Sequence, residues 1–507
     1  MPLVSFARHL ADLADADASA PAISDDRRTV DRDRLQVESA ALAAELSRSG
    51  ASTGDFVTIA LGNGIEFVSA FVACWMIGAV PQPVSARLPD AELDAIVELA
   101  DSAVLVGRDH PTRPSINGWN GADVDASTTE RPTLERLADA VSPSWKAPTS
   151  GGSTGRPKLI VHGDASLLDP DADPILLIRR NGCLVMPGPM YHNGPLSWSL
   201  LTLLAGGHVV VTDRFDAART LALIDEHRAD MVYLVPTMMK RISRLDRAER
   251  DRHDLSSLAA VWHLAEPCPA WLKDEWIEWL GPKRIWELYA GTENQASTVI
   301  RGDQWLEHRG SVGRVSVGEI AVFDTDGAPL PPGEIGEVYL RRGPGGGATY
   351  RYVGAAARTL DDGWESLGDM GWMDADGYLY LADRRTDMIL SGGANIYPAE
   401  IAAAIGEHPA VLSSAVIGLP DDDLGNRVHA IVQVDPEDLA GATAGDGAVD
   451  ADALRNHLAE RLVRYKVPRT FEFVTEPLRD EAGKVRRSQL RADRVPPPSD
   501  PLPGATT

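Results

Sequence analysis

Cysteine is nearly absent: Cys74, Cys183 and Cys268 are the only three in 507 residues. An odd, scattered set of thiols fits neither a disulfide framework nor a zinc site, and it points to a reducing compartment, the cytoplasm. Positive charge is also short. Lys and Arg number 49 against 74 Asp and Glu, a net charge of -25, which argues against nucleic acid or an anionic membrane as partner, since both demand a basic surface. A solvated acidic exterior accounts for that charge, so a polyanionic substrate would need a local basic pocket. Long apolar runs are missing too. The longest, Phe67 to Val80, is broken by Ser69 and Gly78 and stopped by Pro81, short of the ~20 residues that a membrane helix requires. It reads as a buried helix leading into a strand. The opening MPLVSFARHLADLADADA carries acids where a signal peptide needs an apolar centre, so no targeting segment is expected. Its Phe6, Leu10 and Leu13 mark one face of an amphipathic helix.

What remains is ordinary for a globular chain, with 44% hydrophobic and 24% charged residues, and the length implies two or three domains. A helical pattern at Leu35 to Leu46, a β-rich run at Phe56 to Leu61 and the helix and strand before Pro81 set an α/β rhythm. It recurs in strands at Gly207 to Val211 and Met231 to Val235, flanking a helix around Leu221 to His227. From Gly313 onward short strands alternate with glycine turns, as in Gly333 to Leu340 and Asp374 to Leu381, which suggests a hairpin-rich subdomain. After Asp387 the pattern is that of a small α+β unit: helix at Pro398 to Ile405, strands at Val411 to Val416 and Val428 to Val434, helix at Ala451 to Arg464. Gly441 to Gly447 reads as a mobile loop, and the proline-rich tail from Pro496 as disordered. There is no internal repeat.

The stretch Thr149, Ser150, Gly151, Gly152, Ser153, Thr154, Gly155, Arg156, Pro157, Lys158 combines what a phosphate grip needs. Glycines let backbone N–H groups approach an anion, hydroxyls add hydrogen bonds, and a lysine offsets charge. The loop of P-loop nucleotidases is excluded. That motif requires Gly-Lys-Ser/Thr in succession, whereas Arg156 and Pro157 separate Gly155 from Lys158, and Leu159 stands where a magnesium-binding hydroxyl belongs.

Four motifs in order give the chain its resemblance to the adenylate-forming superfamily of acyl-CoA synthetases, luciferases and peptide-synthetase adenylation domains, over nearly its whole length. The resemblance implies that TSGGSTGRPK, from Thr149 to Lys158, cradles the β- and γ-phosphates of ATP. In Glu287 to Glu293 it implies that Tyr289 stacks on adenine, that Thr292 touches phosphate or the acyl carboxylate, and that Glu293 helps hold Mg²⁺. In Glu365 to Asp369 and Leu381 to Ile389 it makes Asp369 the acceptor of the ribose hydroxyls, Arg384 a donor beside it, and Asp387 the hinge on which the C-terminal domain swings. Lys484, within Asp480 to Arg487, resembles the lysine that stabilises charge on the reacting carboxylate and α-phosphate. The implied fold is α/β: a large N-terminal domain (1–386) of two α/β sheet subdomains and a small β-barrel-like subdomain, then a mobile α+β domain (387–495) and a tail (496–507). The chain departs from the family at Ala290 and Asp383, where glycine is usual, and in the acids Asp480 and Glu481 before the lysine.

Within the family, Ser391 to Glu400 resembles the acyl-CoA ligase version, in which Gly392 and Gly393 lie against the pantetheine arm of coenzyme A; a plain hinge turn is the other reading. Met186 to Trp198 matches the segment that lines the acyl pocket, with His192, Asn193 and Gly194; His192 is otherwise a hydrogen-bonded core histidine. Amino-acid-activating relatives carry an aspartate there to pair the amine. None is present, which favours an unaminated acid because burying an unpaired ammonium is costly. Val261 to Pro269 resembles ligases for bulky apolar acids such as bile acids, sterol side chains or long-chain acids. His263 and Gly291 complete the expected pocket, and Glu266 either reads a polar group of the acid or bonds adenine. The expected activity is an ATP-dependent, Mg²⁺-dependent carboxylic acid–CoA ligase working through an acyl-adenylate and releasing AMP and pyrophosphate. The alternatives are a ligase loading a carrier-protein thiol and a non-catalytic binder of nucleotide or acyl ligand. The expected partners are small molecules; a homodimer is left open.

Overall fold

The computed structural model describes residues 2–150, 157–343, 348–436, 449–480 and 483–495. Gly151, Gly152, Ser153, Thr154 and Gly155 of the glycine-rich stretch, the loop Gly441 to Gly447 and the tail from Pro496 lie outside the described residues. By packing, the chain divides into two units. The first comprises Met1–Glu266, Leu272–Ile320 and Leu340–Glu365; the second comprises Pro267–Trp271, Ala321–Tyr339 and Ser366–Thr507.

The first unit holds a parallel four-stranded sheet of β1 (Phe56–Ile59), β2 (Val80–Pro83), β3 (Val104–Val106) and β4 (Ser115–Ile116) in the order β2-β1-β3-β4. Its strands are short and largely buried, as parallel crossovers demand, and the polar side chains Thr58 and Gln82 that two of them carry are hydrogen-bonded to each other. Helix α1 (Ile65–Met76) joins β1 to β2 and is buried at every residue, because its sequence has no polar stripe to offer solvent. Its one acid, Glu66, is answered by Arg27 and Arg28, which is how a buried carboxylate is tolerated.

A hairpin follows, β5 (Thr149–Ser150) against β6 (Lys158–His162). The larger sheet comes next in the chain: β7 (Cys183–Met186), β8 (His208–Val211), β9 (Met231–Leu234), β10 (Ala260–His263), β11 (Ile285–Ala290), β12 (Ser297–Arg301) and β13 (Gly313–Val317). Its order within this unit is β13-β12-β11-β10-β9-β7-β8, continued by Pro21–Ser24 and Thr29–Asp31. The strands from β11 to β8 are parallel, and β12 and β13 run antiparallel beyond them. From β7 the chain moves one way to β8 and then returns past β7 to β9, so strand order reverses between β7 and β9. Such a switch point leaves a crevice at the carboxyl ends of the strands. Helix α2 (Asn193–Leu204) starts there, directly after β7. Finally β14 (Tyr350–Val353) pairs antiparallel with β6, from Tyr350 opposite His162 to Val353 opposite Leu159.

In the second unit, β15 (Glu365–Met373) pairs with β16 (Tyr378–Arg384), in the hairpin texture expected there. Strands β17 (Ile389–Ser391) and β18 (Ala394–Ile396) form a second hairpin. An α+β module closes the chain: β19 (Ser413–Asp421), β20 (Gly425–Gln433) and β21 (Thr470–Val474) in that order, with helices Pro398–Gly406 and Ala451–Ala459. Ile401, Ile405, Val416, Val432, Leu454 and Leu458 are among its core. No helix of the described residues is long and apolar enough to cross a membrane.

Candidate active site

Register puts the ends of the glycine-rich stretch side by side, with Ser150 opposite Lys158. Thr149 is tied into the small sheet through a buried polar relay. The Thr58 hydroxyl donates to Gln82 Oε1 at 2.6 Å, and Gln82 Nε2 donates to Thr149 Oγ1 at 2.7 Å. Because Thr149 accepts that bond, its own proton is left to donate elsewhere, the role a phosphate oxygen requires. Lys158 lies over the Tyr352 ring, 3.8 Å from its centroid, and 3.6 Å from Glu293 Oε1. The Tyr352 hydroxyl donates to the same Glu293 oxygen at 2.6 Å; burial first and Glu293 second hold that phenol protonated, well above its ordinary pKa. Glu293 is itself buried, in the turn after β11 where the Asn294 N–H donates to the Gly291 carbonyl. Thr292 and Gly291 lie in this turn, and Tyr289 sits at the carboxyl end of β11 opposite Thr298. Glu293 Oε2 carries no hydrogen bond among the described residues, so the carboxylate has an oxygen to give a hard cation such as Mg²⁺. Tyr352 was not legible as a site residue: its only sequence signal is the alternation Tyr350, Tyr352 on a strand.

At the switch point, His192, Asn193 and Gly194 form the start of α2, with His192 as N-cap. Facing them are aromatic side chains of successive strands, paired in register as Tyr233, Trp262 and Trp286. Their rings and Trp198 of α2 contact one another at 5.3 Å (Trp198–Tyr233) and 5.7 Å (Trp198–Trp262 and Trp262–Trp286). These rings make the sheet face beside α2 apolar. His263 departs from the expectation by strand parity, since it points to the opposite face from Trp262. There it is fully buried, 4.0 Å from Glu287 Oε2, in the company of Lys273, and burial holds it neutral far below the ordinary histidine pKa. Glu266 accepts from the Thr237 N–H at 3.3 Å and its hydroxyl at 3.0 Å, in the first turn of helix α3 (Pro236–Ser243), where a carboxylate suits the helix dipole. It is reached through Ala265, at φ 74°.

In the second unit, Asp369 and Arg384 face each other across β15 and β16, with Arg384 Nε 3.5 Å from Asp369 Oδ1. Asp383, the residue that replaces a glycine, accepts from the Ala399 N–H at 2.6 Å, so its side chain pins the helix beginning at Pro398. Asp387 Oδ2 accepts from Arg487 at 2.8 Å. Gly392 and Gly393, at φ 55° and 81°, make the two-residue turn of the β17-β18 hairpin, a geometry open to few other residues. The Lys484 N–H donates to Asp480 Oδ1 at 2.9 Å, and the Asp480 N–H to the Lys484 carbonyl. The acid before the lysine therefore closes its turn, with Gly483 at φ 79°.

Two family models match this chain: AMP-binding enzyme over residues 10–351 and AMP-binding enzyme C-terminal domain over 400–484. It is similar to a feruloyl-CoA synthase from Amycolatopsis, 30% identical over 89% of this chain and 91% of that protein. A similar match is a long-chain-fatty-acid–CoA ligase, FadD13, from Mycobacterium tuberculosis, 29% identical over 88% and 89%. In fold it resembles the anthranilate–CoA ligase AuaEII in complex with anthranoyl-AMP, with TM-score 0.81, 24% identity and 98% of each chain covered. The chain belongs to the AMP-binding enzyme family, the adenylate-forming, AMP-producing acyl-CoA synthetases and ligases.

Proposed function

We propose that this ligase joins an unaminated, largely apolar carboxylic acid to coenzyme A, using ATP and Mg²⁺, in the cytoplasm. The observation that carries it is the cluster of Lys158, Tyr352 and Glu293 beside the ends of the glycine-rich stretch. It brings a cation for phosphate next to a buried carboxylate for a metal. A free carboxylate is a poor electrophile, so the acid's oxygen first attacks the α-phosphorus of ATP and pyrophosphate departs. The thiolate of coenzyme A then attacks the acyl carbon, the acyl C–O bond breaks, and AMP leaves with its electron pair. Bound Mg²⁺ would neutralise phosphate charge, and Glu293 would hold it. Thr149 and Lys158 bind phosphate, Tyr289 carries the base, and Thr292 orients the α-phosphate or carboxylate. Asp369 and Arg384 hold the ribose, and Lys484 stabilises charge in the adenylation step. Asp387 serves as hinge, its link to Arg487 tying it to the lysine's own segment, while Gly392 and Gly393 admit pantetheine. Catalysis of this kind rests on positioning and electrostatic stabilisation.

The test is AMP release with ATP and Mg²⁺ across a panel of ferulate, decanoate and longer or steroidal acids, with hydroxylamine trapping of the adenylate. Thioester formed only with coenzyme A supports the reading. Trapped adenylate without any CoA-dependent product identifies a carrier-protein thiol as acceptor, and no AMP with any acid rejects the ligase.

A further inference from the structure

The start of α2 presents positive charge to the switch-point crevice, and no acid stands in its own first turn. The side chain of its N-cap, His192, makes no capping bond, and its first turn has no acidic residue. The amides of Asn193 and Gly194 carry no hydrogen bond among the described residues, and Pro195 has no N–H to offer. The Tyr233 hydroxyl, fully buried and without a partner among the described residues, packs directly against Gly194, where an added Cβ would collide with it. Behind the turn, the Lys146 ammonium, 3% exposed, donates to Asn193 Oδ1 and Ser197 Oγ, each at 2.5 Å, and lies 4.1 Å from the Trp145 ring centroid. Both oxygens are neutral, and no carboxylate among the described residues pairs with it. Glu266, the acid whose charge reaches Tyr233, is taken up by Thr237.

We propose that the first turn of α2, with Tyr233 and Lys146, is a carboxylate subsite that takes an anionic oxygen of the acid. A buried donor without an acceptor, a helix N-terminus and a buried cation without a counter-ion share one remedy, a negatively charged ligand oxygen. A neutral carbonyl would satisfy the phenol but leave the ammonium uncompensated. The inference rests on the ligase reading, which supplies a carboxylic acid as ligand. Two oxygens could occupy the subsite: the carboxylate that is activated, or a second one at the far end of a dicarboxylic acid.

Three straight-chain probes separate the cases, with binding followed by the fluorescence of the nearby tryptophans: decanoate, methyl decanoate and decanedioate. Wild type is expected to bind decanoate more tightly than its ester. Lys146→Met should lose about tenfold or more of decanoate affinity and Tyr233→Phe about threefold, with ester binding unchanged. Tyr233→Phe removes only a hydroxyl that makes no hydrogen bond among the described residues, so its melting temperature should stay level or rise, which excludes a folding defect. If decanoate binding is untouched and only the preference for decanedioate collapses, the subsite reads the second carboxylate. Wild-type affinity of both variants for all three probes, or equal loss of acid and ester, overturns the proposal. AMP release is measured in parallel, since a wild type that binds decanoate but activates no acid contradicts the ligase reading and leaves the subsite standing.

Discussion

On one face of the larger sheet Lys273 is fully buried, yet its ammonium meets Glu287 Oε2 at 2.5 Å and lies over the Trp305 ring at 4.9 Å. Under α2, on the face of Tyr233 and Trp262, Lys146 is buried too and lies over the Trp145 ring at 4.1 Å, but among the described residues the only oxygens it meets are the neutral ones of Asn193 and Ser197. The first arrangement is complete within the protein. The second is not, and burial alone draws the Lys146 pKa down to about 7. A buried charge matched by its own chain serves the fold; one left unmatched beside a crevice is held for something that arrives.

The difference is sharpest in stability. Lys273→Met strands Glu287 as a buried unpaired carboxylate and should destabilise by about 3–5 kcal/mol, whereas Lys273→Met with Glu287→Leu should recover most of that. Lys146→Met, which removes a desolvated ammonium and leaves two small polar acceptors, should fall within about 1 kcal/mol of wild type. Urea unfolding of the three variants checks both; a Lys146→Met loss as large as that of Lys273→Met would erase the contrast.

Glu293 joins the two modes, a buried carboxylate answered by Lys158 and Tyr352 on one oxygen only. Glu293→Gln should lower AMP formation by about 10²-fold, and Tyr352→Phe, which leaves the charge in place, by about tenfold or less. Pyrophosphate release titrated with Mg²⁺ reads both, and Glu293→Gln should need more metal.

Much of this was legible in the chain. The helix expected at Leu35 to Leu46 spans Arg32–Arg48, since Asp31 caps its start and apolar spacing carries no information about a polar first turn. The strands at His208 and Met231 and the helix at Pro398 fall where periodicity put them. Lys146 and Tyr352 were not legible, because nothing local distinguishes a buried lysine or a site tyrosine from a surface one; their environment is made by α2 and by Glu293, far along the chain. The face on which His263 lies, opposite Trp262, was not legible for a simpler reason: neighbouring residues on a strand face opposite ways, and a quoted segment does not say which way.

A narrower probe of the α2 side is Gly194→Ala. The added methyl collides with the Tyr233 hydroxyl, and overpacking of this kind costs about 1–3 kcal/mol. Acid affinity should fall with it, and pairing the change with Tyr233→Phe should restore part of both, measured by melting temperature and by decanoate binding.

The smallest effect is a pH dependence carried by Lys146. The folded pKa of Lys146 lies near 7, below its ordinary 10.5, so between those values the unfolded chain binds the proton and the native state does not. Stability from this group therefore rises with pH through that window and is flat below it, by about 1 kcal/mol between pH 7 and 8. Comparing wild type with Lys146→Met cancels every other titration: the difference in their unfolding free energies should slope upward from pH 7 to 8. A level difference for Lys146 would mean that its ammonium is already matched, and the distinction between the two faces would fail.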